Sequence, residues 1–123
     1  MNAQPDADAL SELTARIREF NRQRDWRQFH SPKNLATALM VEAAELAEIF
    51  QWMTQAESRQ PDATTHRRIQ EEIGDVLIYL LNISDTLGID PLEAASAKLS
   101  TNMRKYPVAR SRGNARKYDR LGE

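Results

Sequence analysis

The sequence predicts an all-α protein with a four-helix, bundle-type fold. Three observations carry that prediction. Apolar residues recur at three- and four-residue spacing through most of the chain. No stretch alternates apolar with polar residues over the length of a strand, and Gly is scarce at 4 of 123 residues. Ser-Pro and Asp-Pro pairs also stand where helices would begin.

The first helix is expected from about Ala7 to Arg24, with Leu10, Leu13, Ile17 and Phe20 on one face. Trp26 to His30 form an aromatic connection. Ser31 can cap a second helix and Pro32 suits its first position, so that helix should run to about Gln55. Gln60 to Thr65 read as a loop before a third helix at about 64–87, with Gly88 as its stop signal. Asp90-Pro91-Leu92-Glu93 combines a cap, an N1 proline and an acidic first turn, which starts a fourth helix running to about Lys105. Pro107 ends it. The division expected is a single all-α catalytic domain over 1–107, followed by a basic segment, 108–123, that is extended or irregular.

Charge is distributed unevenly. Residues 1–103 hold 10 Lys/Arg against 16 Asp/Glu, whereas residues 104–120 hold seven Lys/Arg against Asp119 alone. An acidic body with a basic end suits a polyanionic ligand, either a phosphate-bearing small molecule or nucleic acid, or else a solvated tail that keeps the protein soluble. The acidic body opposes an extended nucleic-acid face, and the usual nucleic-acid recognition motifs are missing. With no Cys, disulfides and thiolate metal sites are excluded, which fits a reducing compartment. Met1 to Asp8 are polar and acidic, and no apolar run reaches the roughly 20 residues of a membrane span. The expectation is a cytoplasmic protein with no membrane partner. The third helix is apolar on most sides from Val76 to Ile83, more than one layer of four helices can cover, so a homo-oligomer is expected.

Four acids interrupt the apolar pattern. Leu35, Ala38, Leu39, Leu46, Ile49, Phe50 and Met53 define a stripe on the second helix, and Glu42 and Glu45 fall inside it. Ile69, Ile73, Val76, Tyr79, Leu80 and Ile83 define one on the third, with Glu72 and Asp75 inside it. Residues three apart share a helix face, so each pair points inward. Two like charges about 4 Å apart repel by roughly 4 kcal/mol at an effective dielectric of about 20. Burying several together therefore calls for a cation. Oxygen-only ligands suit Mg²⁺, with Mn²⁺ as a substitute, whereas Zn²⁺ and Cu²⁺ favour imidazole or thiolate. A di-iron centre needs Glu-x-x-His on two helices. Here Glu and Asp occupy those third positions, and His30 and His66 lie elsewhere. A single Glu-x-x-Glu is ordinarily a solvated face, as Glu45/Glu48 reads. Two such motifs inside apolar stripes are not so easily dismissed.

Glu42-x-x-Glu45, 26 intervening residues and Glu72-x-x-Asp75 resemble the signature of the MazG-like all-α nucleoside triphosphate pyrophosphohydrolases. Arg24-Asp25-Trp26, Phe29-His30, Asn34-Leu35, Phe50-Gln51-Trp52, Asp75 to Leu80, Lys98, Asn102, Tyr106-Pro107 and Lys117-Tyr118 are similar to the dCTP pyrophosphatase branch in particular. The resemblance spans about Phe20 to Tyr118. It implies hydrolysis between the α- and β-phosphates of a nucleoside triphosphate, Mg²⁺ held by Glu42, Glu45, Glu72 and Asp75, and a homodimer or homotetramer. By the same resemblance Lys98, Asn102, Lys105 and Tyr106 handle the phosphates. The lysines and Asn102 also share one helix face at spacings of four and three. Trp26 and Trp52 are candidates to stack on the base, worth roughly 1–3 kcal/mol each, with His30 and Tyr79 secondary. Two departures bear on the preferred base. Ile17 stands where the animal dCTP enzymes carry a His, and Lys105 stands where relatives often have Arg, whose bidentate fork Lys lacks. The competing readings are a nucleotide sensor that binds without hydrolysis, and a helical interaction module with a basic tail.

Overall fold

The computed structural model describes residues 5–121. They form six α-helices and no strand among the described residues: α1 Pro5–Gln23, α2 Pro32–Phe50, α3 Gln55–Arg59, α4 Ala63–Leu87, α5 Pro91–Lys105 and α6 Val108–Ser111. Most of the expected punctuation acts as its chemistry requires. Ser31 Oγ accepts the Asn34 N–H at 3.1 Å and opens α2 onto Pro32. Asp90 Oδ1 accepts the N–H groups of Leu92 and Glu93 at 2.9 and 3.2 Å. Gly88 closes α4 at φ 66°, where the Ile89 N–H reaches the Ser84 carbonyl at 2.8 Å.

Three features differ from the sequence expectation. First, α2 stops at Phe50 rather than near Gln55, because Thr54 and Glu57 start α3 with a reciprocal capping box. The Thr54 side chain accepts the Glu57 N–H at 3.1 Å, and the Glu57 carboxylate accepts the Thr54 N–H at 2.8 Å. Second, the expected irregular segment contains α6 and a 3₁₀ turn, Tyr118–Arg120; its last two residues lie outside those described. Third, Ile73 and Leu80 of α4 are 53% and 41% exposed, and Leu81, at 1%, takes the core position instead.

The contacts divide the chain between Ile89 and Asp90 into two compact units. In the first, α2 packs along α4, and α1 lies against α4. The buried apolar residues of this unit are Leu35 and Ile49 of α2, Leu81 of α4 and Ile17 of α1. The α2 stripe read from the sequence, Leu35 to Met53, is buried or half-buried throughout. Arg18 of α1 donates two hydrogen bonds to the Asp85 carboxylate of α4, at 2.7 and 3.0 Å. In the second unit the Tyr106 and Tyr118 rings meet edge to face at 6.3 Å, and Lys105 Nζ lies 4.7 Å from the Tyr118 centroid. Among the described residues, no helix is long and apolar enough to cross a membrane.

Candidate active site

The acidic motifs meet where α2 runs along α4. Carboxylate oxygens of Glu42, Glu45 and Glu72 lie within 4.8 Å of one another. Helical spacing explains the convergence: Glu42 and Glu45 are one turn apart on α2, and Glu72 starts the corresponding turn of α4. Glu42 and Glu72 are half-buried, while Glu45 is exposed. One oxygen on each half-buried acid, Oε2 of Glu42 and of Glu72, is shielded from solvent without a hydrogen-bond partner among the described residues. Such an orphaned acceptor needs a proton or a cation.

The electrostatics agree with the geometry. Burial first, then the neighbouring Glu45, Asp75 and Glu72 carboxylates, push the Glu42 carboxyl up to about 7. Glu72 is also raised above the usual carboxylate range, by burial and then by Glu45 and Asp75. Asp75, the fourth predicted ligand, stands outside the group of three and lines a cavity with Glu42. The three convergent acids form an all-oxygen donor set able to hold a metal ion, and the two unpartnered oxygens fit that use.

The cavity, of about 420 Å³, lies within the first unit. α1 lines it with Leu13, Arg16, Ile17, Phe20 and Asn21, and α4 with Asp75, Ile78, Tyr79 and Asn82. Trp26 and His30 come from the connection between α1 and α2. The end of α1 places Trp26. Asp25 turns left-handed at φ 53°, the Trp26 N–H donates to the Asn21 carbonyl at 3.0 Å, and the indole meets the Phe20 ring edge to face at 5.6 Å. His30 lies edge to face with Trp26 at 6.5 Å, and its Nδ1 is shielded without a partner among the described residues.

Of the predicted base-contacting residues, the cavity therefore gathers Trp26, His30 and Tyr79. Trp52 is 89% exposed in the turn after α2 and does not line it. Lys98, Asn102, Lys105 and Tyr106 belong to the second unit, with Lys98 exposed and the other three half-buried. Asn21 and Asn82 are cavity residues that the sequence reading passed over. The signal that marks the four acids, a polar residue inside an apolar stripe, is also present at these two.

An all-α fold with helix-borne carboxylates gathered beside a cavity of small-molecule size defines a class of helical, carboxylate-based sites. The chain belongs to the MazG-like family, whose model matches residues 37–121. It is similar to dCTP pyrophosphatase 1 of Bos taurus, with 42% identity over 98% of this chain and 70% of that protein. The corresponding protein of Rattus norvegicus is 46% identical over 84% of this chain, which spans 62% of that relative's length. A pyrophosphatase from Archaeoglobus fulgidus, known from its crystal structure, superposes with a TM-score of 0.77. It is 44% identical, and the match covers 80% of this chain and 93% of that one.

Proposed function

We propose that this protein is an Mg²⁺-dependent nucleoside triphosphate pyrophosphohydrolase acting on dCTP or a modified dCTP. Its role on this reading is to clear excess or modified nucleotides from the cytoplasmic pool. The observation that carries the proposal is the convergence of Glu42, Glu45 and Glu72 beside a cavity that Glu42 itself lines. The relatives named dCTP pyrophosphatase 1 support the choice of reaction and base.

In this reading water attacks the α-phosphorus and the bond from that phosphorus to the α–β bridging oxygen breaks. Pyrophosphate leaves with the bridging oxygen, a nucleoside monophosphate remains, and the proton lost by water passes to solvent or a carboxylate. Glu42, Glu45 and Glu72, with Asp75 beside Glu42, would hold the ion. When bound, Mg²⁺, for which Mn²⁺ can substitute, supplies positive charge where negative charge develops on the phosphoryl oxygens. Trp26 stacks on the base, with His30 and Tyr79 completing the wall. By family correspondence Lys98, Asn102, Lys105 and Tyr106 are assigned to the phosphates, and Trp52 to the nucleotide. Chromatography of a reaction with dCTP and Mg²⁺ tests the proposal: monophosphate plus pyrophosphate is expected. Release of orthophosphate would mean a different reaction, and binding without turnover would make the protein a sensor.

The assembly on this reading is a homo-oligomer, a dimer or a tetramer. Ile73, Leu77 and Leu80 share a face of α4 and are all exposed in the single chain. Leu77→Glu is expected to shift the protein to monomer in size-exclusion chromatography with light scattering. An unchanged mass would place the interface elsewhere.

A further inference from the structure

Two buried asparagines line the cavity. Asn21 is 6% and Asn82 9% exposed, and Asn21 Nδ2 donates to Asn82 Oδ1 at 2.7 Å between α1 and α4. That bond uses one donor of Asn21 and the carbonyl of Asn82. Among the described residues, no other side-chain hydrogen bond reaches Asn21 Oδ1 or the Asn82 amide group. Neither group is sealed from solvent, and both residues line the cavity, where a hydrogen-bonding ligand group can meet them. Ile17, Ile78 and Leu81 flank the pair; His30 lines the same cavity, and Arg18, Arg27, Asp85 and Thr86 line a smaller one beside it, but none of these polar side chains hydrogen-bonds either amide.

The position of the pair says what such a ligand would be. Asp75, Ile78, Tyr79 and Asn82 follow one another along the cavity side of α4. Seven residues of helix separate Asp75 from Asn82, an axial rise of about 10.5 Å. The acids thus mark one end of the cavity wall and the amides the other, with Tyr79 and Ile78 between. A nucleoside 5′-phosphate has that polarity: phosphate, sugar, then base edge. The free pair offers an acceptor, Asn21 Oδ1, next to a donor, Asn82 Nδ2. Cytosine presents the complement, its N4 amino group as donor beside N3 as acceptor. Uracil and thymine present an acceptor, O4, beside a donor, N3–H, which is the reverse order.

We propose that Asn21 and Asn82 form the base-reading element of this site, Asn21 accepting from the amino group of a cytosine and Asn82 donating to its ring nitrogen. This rests on the reading of the protein as a nucleoside triphosphate pyrophosphohydrolase. It adds the residues that select an amino over a keto pyrimidine.

The test compares kcat/KM for dCTP and dUTP in the wild type, Asn82→Leu and Asn82→Asp. Wild type should prefer dCTP. Asn82→Leu, which removes the hydrogen bonds at similar volume, should lower kcat/KM for dCTP roughly ten- to a hundredfold, chiefly through KM, and collapse the preference. Asn82→Asp keeps the shape and the bond from Asn21 but leaves only acceptors, so its preference should swing toward dUTP, whose N3–H can donate. In the wild type, titration with dCMP should shift the Asn21 and Asn82 side-chain amide resonances in ¹⁵N NMR spectra, a readout independent of turnover and of any variant's folding. A wild type that turns over dCTP and dUTP equally would overturn the base-reading role while leaving the hydrolase standing. So would a preference unchanged in the folded variants, or unmoved amide resonances. A wild type that hydrolyses no triphosphate would overturn both.

Discussion

Glu72→Gln is expected to lower pyrophosphate release by about 10²–10³-fold or more while leaving the helical circular dichroism spectrum unchanged. Glutamine keeps the shape of the side chain but removes its charge and replaces one oxygen with an NH₂ group that cannot ligate a cation. The substitution falls on one of the three donors that converge among the described residues, at an oxygen shielded from water without a partner there. Stability should hold or rise in the metal-free protein, because the burial and the Glu45 and Asp75 charges that raise the Glu72 carboxyl no longer act on a charged group. Glu48→Gln is the control. Glu48 is exposed, lies outside the convergent group, and should behave as the wild type. Near-normal turnover by Glu72→Gln would reject the assigned site.

A polar residue inside an apolar stripe marks the acids from sequence alone, and other features of the fold are legible only in part. Local chemistry reads well. Ser31, Asp90 and Gly88 act as caps because each needs only its own next few residues to do so. The Thr54/Glu57 capping box is equally local, and it ends α2 early because a Thr-x-x-Glu pair outweighs the continuing apolar spacing that Phe50 and Met53 suggest. Phase along α4 is harder. A helix apolar on most sides has no unique inward face, so Ile73 and Leu80 fit the stripe by period yet lie exposed, while Leu81 is buried. The Asn21–Asn82 bond joins residues 61 apart, and no periodicity reports which polar residue on one helix will face which on another. Trp26 depends on both kinds of information: its sequence neighbours mark a connection, but only the left-handed turn at Asp25 decides that the indole faces the cavity.

Without divalent cation, the protein is expected to lose stability as pH rises from about 5 to 8, the reverse of the usual behaviour of paired carboxylates. The Glu42 carboxyl is raised from its ordinary 4.5 to about 7 in the folded chain. Between those values the folded state holds a proton that the unfolded state has released, so unfolding releases protons and a higher pH favours it. The contribution is intact below about 4.5 and is lost once pH passes about 7. Glu72, raised for the same physical reasons, adds in the same direction. Calorimetry of the metal-free protein should show Tm falling across this window. Mg²⁺ requires the deprotonated acids, so its stabilisation should grow as pH rises and offset the loss, adding about 2.7 kcal/mol at a hundred times its Kd. Glu42→Gln should flatten the pH dependence of the metal-free protein and diminish the response to Mg²⁺ together. A flat profile in the wild type, or an Mg²⁺ response that survives in Glu42→Gln, would mean that these oxygens do not share the burden of a bound cation.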